Sequence, residues 1–444
     1  MTERSASRPH SVPSSRISRL SHFGSLATGI AGNMAVNGMR EMAQGRRPEL
    51  RDLLLTPANI SRFADQLARM RGAAMKVGQL ISMDTGDVLP PELAEILARL
   101  RANADYMPPK QLRQVLNREW GTGWLGRFQR FDVVPIAAAS IGQVHRAQTR
   151  DGRDLAIKIQ YPGVRRSIDS DVDNVASMIR MAGLVPDGVD VSPFLAEAKR
   201  QLHDEADYLR EADQLLRFGD LLSGDTRYIV PVLHDDLTTA SVLAMSFLPG
   251  VGIESLSEYP QDVRDRVTED LIDLVLREMF EFGWMQSDPN FANYRFDPES
   301  GRIVLLDFGA AMPVDRGMAG HYRELFRAGL AQDRARVRDC AMKIGFFDDA
   351  TRQDHQDAIL DMMEIAFDGL RRPGLYDFSD TEIVTRLREM GTDLGRDREF
   401  VHIPPMATFF LHRKLGGMYL LANRLGARLD LQRILGPWLE PVAA

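Results

Sequence analysis

At 444 residues the chain is long enough for two or three structural units around more than one core. Its 44% hydrophobic and 26% charged residues are the balance of a soluble globular protein, and a lone cysteine, Cys340, excludes an intramolecular disulfide framework and fits a reducing compartment. A net charge of −7, with no interleaved aromatic and basic pattern, argues against a nucleic-acid partner.

The amino-terminal leader, residues 1–47, carries seven arginines against Glu3 and Glu41, a local charge of +5. Its first twenty residues, rich in Ser, Arg and Pro, are expected to be disordered. The run FGSLATGIAGNMAVNGM, Phe23 to Met39, is too short and too polar for a membrane span. Two readings stay open for it: a surface helix behind a basic leader, or a peripheral contact with anionic lipid.

Residues 48–125 read as a helical extension. From Ile60 to Met83 the pattern predicts one helix, with Phe63, Leu67, Met70, Ala74, Val77 and Ile81 at steps of three or four on one apolar stripe. Lys76 and Gln79 lie off that stripe. Met75, Leu80 and Met83 add apolar bulk there too, so the helix is expected to pack on two sides, with Lys76 pointing into an interface. Pro90-Pro91 and Pro108-Pro109 punctuate two further short helices, the second running to about Glu119. Only six of the 55 basic residues are lysine (76, 110, 158, 199, 343 and 414). In so arginine-biased a chain, a retained lysine is enriched for tasks that arginine cannot perform.

Residues 126–248 read as a nucleotide lobe. FDVVPIAAASIGQVHRAQTRDGRDLAIKIQ, from Phe131, predicts strand, tight loop, strand, an Asp151-Gly152 hairpin turn and another strand. Set against the kinase glycine loop, Ala137 to Val144 keeps Gly142 and Val144 but has Ala137 and Ala139 at the first two glycine positions. Alanine there removes easy access to positive φ, so a stiffer loop with an altered nucleotide grip is expected. Ala138 and Ser140 complete the loop. Lys158 ends Leu155-Ala-Ile-Lys158, the kind of strand that carries a phosphate-pairing lysine. A single helix over 194–217 supplies Glu205, Asp207 and Glu211. Asp207 and Glu211, four apart, each need a cation, with Lys158 and Lys76 as candidates. Strands near Tyr228–Leu233 and Ser241–Phe247 follow. Pro249-Gly250 marks a hinge, so Met245 and Phe247 would border an adenine.

Residues 249–444 form the second lobe. The apolar helix Leu271 to Phe282 leads into MQSDPNFANYRFDPESGRIVLLDFGA, Met285 to Ala310. This is the order of parts in a phosphoryl-transfer site. Asp288 would orient a nucleophile, and Asn293 with Asp307 would hold metal. No long polar activation segment follows Gly309. Met406 to Leu425, with His412-Arg413-Lys414, reads as core.

These stretches resemble the UbiB-type atypical kinases, most closely the branch tied to coenzyme Q biosynthesis in mitochondria and alpha-proteobacteria. They are Lys76-Val-Gly-Gln79, Ala137 to Val144 with His145, Ala156-Ile-Lys158 through Gly163, Glu205-Ala-Asp207-Tyr208, Asp288-Pro-Asn-Phe-Ala-Asn293 and Asp307-Phe-Gly309. The resemblance implies an α+β, protein-kinase-like two-lobe fold with an amino-terminal helical extension and a mostly helical C-lobe. It places Lys76 and Gln79 on the family's Lys-x-Gly-Gln signature and Glu205 and Asp207 on its Glu-x-Asp signature, regulatory motifs that obstruct protein substrates. It matches Glu211 to the helix acid that pairs with Lys158.

The expected activity is that of a Mg-dependent ATPase or atypical kinase supporting ubiquinone biosynthesis, with ATP and Mg as cofactors. The alternatives are a non-catalytic ATP-binding scaffold presenting lipid intermediates, or a kinase for a small molecule or a protein. Expected partners are ATP and anionic lipid or the lipids and enzymes of the quinone pathway; a homodimer is allowed. The expected location is cytoplasmic and peripheral at the inner membrane of a bacterium, since the chain ends at Pro441-Val-Ala-Ala444 without a spanning helix.

Overall fold

The computed structural model describes residues 67, 70–84, 106–181, 191–397, 402 and 404–440. The leader 1–47, Phe63, the side chains of Gln79 and Ile81, and the Pro90-Pro91 segment lie outside the described residues. The chain divides into two compact units: Met1–Asp213 with Val232–Phe247, and Gln214–Pro231 with Leu248–Ala444.

In the first unit, α1 (Arg71–Asp84) is the described part of the extension helix. Leu67, Met70, Ala74 and Val77 of its stripe are buried, and so is Lys76 on another face, so the helix is covered on two sides. Next, α2 (Pro109–Trp120) opens on a proline at its first turn, where a missing N–H costs nothing. The sheet consists of β1 (Phe128–Phe131), β2 (Ala137–Ala138), β3 (Gly142–Thr149) and β4 (Asp154–Gln160), completed by a later strand. Between them come α3 (Val164–Met181), α4 (Ser192–Glu205) and α5 (Tyr208–Leu221). The chain then enters the second unit, where it makes β5 (Tyr228–Ile229), and returns to the first as β6 (Val242–Ser246). The order is β1-β3-β4-β6 with β2 on β3, all antiparallel. Gly152 takes a φ of 93° in the hairpin turn between β3 and β4, a conformation open to glycine at little cost.

One face of the sheet packs Leu155, Ile157 and Ile159 against Leu112, Leu116, Trp120 and Trp124. A buried polar chain ties Met107, ahead of α2, to β3. Gln143 accepts the Met107 N–H at 2.7 Å and turns its own amide N–H to His145 Nε2 at 2.7 Å. That leaves His145 Nδ1–H to donate to Asp132 O, and burial holds the imidazole pKa below its ordinary value.

The single helix expected over 194–217 is two. Its break lies at Ala206-Asp207, where Asp207 Oδ1 accepts the Arg210 N–H at 3.2 Å and Gln160 donates to Ala206 O at 2.7 Å. The acid that looked like a mid-helix residue is the amino-terminal cap of α5.

The second unit is helical around small sheets. Its four-stranded sheet runs β5-β10-β9-β7, with β5 parallel to β10 (Arg302–Leu305), and β10 and β7 (Val251–Gly252) each antiparallel to β9 (Tyr294–Asp297). A ribbon pairs β8 (Trp284–Gln286) with β11 (Ala311–Pro313). The helices are α6 (Gln261–Arg277), α7 (Arg316–Leu330), α8 (Arg334–Ile344), α9 (Gln353–Arg371), α10 (Glu382–Arg396), α11 (Met406–Leu425) and α12 (Leu431–Leu439). After α6 a π-helical turn, Glu278–Phe282, stops at Gly283 with φ 59° and sends the chain into β8. Leu276, Tyr376, Phe378, Ala422, Leu429 and Leu435 belong to one core cluster of this unit.

Candidate functional site

In the first unit the pleat sets the side chains. Lys158 sits on β4 opposite Val144 and Leu243. Its Nζ donates to both Glu211 oxygens, at 2.7 and 2.8 Å, and lies 5.2 Å from the Tyr208 ring centroid. Glu211 occupies the first turn of α5, where the positive end of the helix dipole favours a carboxylate.

Lys76 pairs with Glu205, which also accepts from Ser140 Oγ at 2.5 Å. One carboxylate therefore holds both the extension helix and the alanine loop. Gly72 lets α1 come this close, since a Cβ there would stand 2.7 Å from Ser140 O. Asp207 takes neither lysine; it lies 3.3 Å from Arg165.

In the loop, Ala137 and Ala138 are exposed, Ala139 is half-buried, and none has positive φ. The Ala139 N–H donates to Gly142 O at 2.9 Å. Gly142 is required by packing, because a Cβ would meet Ile159 O at 2.4 Å. Val144 is half-buried. On β6 Met245 is buried, and the Phe247 ring lies under the Arg146 guanidinium at 4.0 Å, which Asp154 holds in turn.

In the second unit two strand pairings gather residues far apart in sequence. The β9–β10 hairpin pairs Leu305 with Tyr294, and the Leu306 N–H donates to Asn293 O at 3.0 Å. Asn293 and Asp307 thus end neighbouring strands at the same side. The ribbon pairs Gln286 with Ala311, and Ser287 Oγ donates to Ala310 O at 2.8 Å, which brings Asp288 beside the residues that follow Asp307. Asp307 Oδ1 accepts the Gly309 N–H at 2.9 Å, and buried Phe308 packs 4.9 Å from Phe218. Asn290 accepts the Ala292 N–H and caps the short turn Phe291–Asn293.

Two residues read as core do more than fill space. Arg413 donates to Asp288 Oδ1 at 2.8 Å. Lys414, fully buried, donates to the Tyr294 hydroxyl at 2.9 Å and lies 3.3 Å from Glu278. Burial alone would lower the Lys414 pKa, but Glu278 and Tyr294 outweigh it and keep the ammonium charged. The available signal was that Lys414 is one of six lysines in an arginine-rich chain.

Beside them, burial pushes His412 down to about 4, and its Nε2 shares a hydrogen bond with the Tyr322 hydroxyl at 2.7 Å. With the folded value below the unfolded one, the unfolded chain takes up the proton first as pH falls. Stability should be at its full value above about 6.5 and decline by roughly 3 kcal/mol as pH falls towards 4. Urea melts across that range on the parent and on His412→Gln, which should flatten the decline, check this.

The donor set suits a hard divalent cation. One carboxylate and one carboxamide oxygen are the protein ligands Mg takes when phosphates and water supply the rest. A cluster of three or more His, Cys, Asp or Glu is absent among the described residues, and Mg bound in this way needs none.

The family model of the ABC1 atypical kinase-like domain matches residues 99–341. The chain belongs to this family. Atypical kinase COQ8, mitochondrial, of Saccharomyces cerevisiae is 37% identical over 427 residues, covering 96% of this chain and 85% of that protein. COQ8B of Rattus norvegicus, also an atypical kinase named as mitochondrial, is 37% identical over 425 residues, covering 95% and 80%. Among solved structures, the Rv3197–erythromycin complex from Mycobacterium tuberculosis aligns with a TM-score of 0.60 at 23% identity, over 84% of this chain and 95% of that one, a likeness of fold. The chain is thus an atypical kinase with the expected α+β, kinase-like two-lobe fold.

The expected location at a bacterial inner membrane is overturned, because the COQ8 relatives are mitochondrial proteins of eukaryotes. Among the described residues no helix is long and apolar enough to cross a membrane.

Proposed function

We propose that the chain is a Mg-dependent ATPase of kinase fold that supports ubiquinone biosynthesis. The observation that carries the chemistry is the double strand pairing that gathers Asp288, Asn293 and Asp307. Mg, when bound, would neutralise charge on the β- and γ-phosphates. Asp307 and Asn293 would hold it, and Asp288 would orient water or an acceptor hydroxyl through a carboxylate oxygen.

Lys158, aimed by two bonds from Glu211, would hold the α- and β-phosphates. Backbone and side chains of Ala137 to Gly142 with Val144 would cover the nucleotide, and Met245 and Phe247 would border the adenine. Lys76, locked on Glu205 together with Ser140, would restrain the alanine loop and, with Gln79 and Asp207, keep protein substrates out. The pathway is supported by the motifs of the coenzyme Q branch and by likeness to the COQ8 kinases.

The test is phosphate release by the purified chain with ATP and Mg. Release is expected with Mg and should fall to background with EDTA, while quinone profiling of a deletion strain reads the pathway. Absence of any Mg-dependent release would favour a nucleotide-binding scaffold.

A further inference from the structure

The helix α11 meets the Asp288–Tyr294 loop along one seam. Arg413 Nη2 donates to Asp288 Oδ1 at 2.8 Å, with the arginine side chain 8% exposed and the aspartate 22%. One residue on, Lys414 holds the Tyr294 hydroxyl at the other end of the loop. One turn further, Gly417 faces Pro289, and a Cβ built there would stand 2.3 Å from Pro289 Cβ. Arg413 and Gly417 are four apart and therefore on one helix face. The glycine brings the helix close enough for the arginine to reach the aspartate.

The two oxygens of Asp288 are held unequally. Oδ1 has the short charge-assisted contact, whereas among the described residues Oδ2 meets Asn293 Nδ2 at 3.5 Å, at the outer limit of a hydrogen bond. A carboxylate clamped at one oxygen by a buried guanidinium keeps its plane and presents the other oxygen in a fixed direction. Lys414 ties Tyr294, at the start of the following strand, to Glu278.

We propose that Arg413 is a positioning residue for phosphoryl transfer, clamping Asp288 through Oδ1 so that Oδ2 orients the attacking hydroxyl or water, with Gly417 setting the approach of α11. This rests on the role given to Asp288 above. An ion pair that served stability alone would also cost folding energy when cut, so the test reads turnover and nucleotide binding separately and adds a variant that removes no charge.

The experiment uses the full chain with Arg413→Ala, Arg413→Lys, Gly417→Ala and Asp288→Asn, measuring ATP hydrolysis and the affinity for a fluorescent ATP analogue. Arg413→Ala should lower kcat about 10²-fold, the scale of a reacting group displaced by an ångström, with analogue affinity roughly unchanged. Added guanidinium should restore part of that loss, and Arg413→Lys should fall between alanine and wild type. Gly417→Ala, which forces Pro289 away while leaving every charge in place, should also lower kcat at unchanged affinity.

Wild-type kcat in both Arg413→Ala and Gly417→Ala, with Asp288→Asn inactive, overturns the inference and leaves the functional reading standing. An Arg413→Ala loss that neither guanidinium nor lysine relieves, accompanied by lost analogue binding, overturns it in favour of a purely structural pair. Full turnover in Asp288→Asn removes the reading of Asp288 itself and the inference with it.

Discussion

Asp307→Asn is expected to lower ATP turnover by at least about 10²–10³-fold, the cost of removing one preorganised charge-stabilising group at a phosphoryl centre. The substitution is nearly isosteric and keeps an oxygen that can accept the Gly309 N–H, so the turn after β10 should survive. What it removes is negative charge, and with it the stronger of the two oxygen ligands proposed for Mg. Nucleotide affinity without Mg should stay close to that of the parent, because Lys158 and the alanine loop belong to the other unit and are untouched. The decisive measurement is steady-state phosphate release at saturating Mg, paired with analogue binding in EDTA. Turnover within a few-fold of the parent would remove Asp307 from the metal site. Complementation of a deletion strain by the inactive variant would point to the scaffold alternative.

That Asp307 could be singled out in the chain at all reflects how local the information is. Asp288 and Asn293 sit five apart in one loop, and Asp307 follows a short apolar strand, so spacing alone announces the set. The hairpin between β9 and β10 then does what alternation and the turn at Asp297 to Gly301 imply. Lys158 was legible for the same reason: it falls between Ile157 and Ile159 in a short strand whose large apolar residues alternate.

The pairing of acids with cations was not legible. Glu205, Asp207 and Glu211 lie within seven residues, and helical periodicity treats Asp207 and Glu211 as equivalent. The break between α4 and α5 separates their directions. Glu211 goes to Lys158, Glu205 to Lys76, and Asp207 caps a helix and meets Arg165. The capping role depends on Gln160 reaching Ala206 across 46 residues, which no window on the sequence contains. Arg413 and Lys414 were hidden in another way. They lie among Phe409, Phe410, Leu411 and Leu415, where hydrophobic bulk signals core. Both are indeed buried, but their partners come from 120 residues or more away.

Lys158→Ala is expected to cost roughly 3–5 kcal/mol of stability as well as turnover, because cutting one side of a buried ion pair removes the cation that both oxygens of the remaining carboxylate were bonded to. The Glu211 side chain is 2% exposed and that of Lys158 10%, so water cannot replace the lost ammonium. Both carboxylate oxygens are bonded by the one nitrogen, and the alanine variant leaves the carboxylate buried without it. Glu211→Ala removes the carboxylate from the ammonium instead, and Tyr208 at 5.2 Å offers its ring face, so the penalty should fall at the lower end of the range. The double variant Lys158→Met with Glu211→Leu separates folding from function. Replacing both charges by apolar groups of similar size should recover most of the stability, since a buried pair seldom outperforms good packing. It should recover none of the turnover, because no cation then remains at that point of β4 to hold phosphate. Urea unfolding midpoints and phosphate release on the three variants decide the matter. A double variant that regained turnover would show the pair to be a folding element alone, and single variants that lost less than about 1 kcal/mol would show that the site admits enough water to screen it.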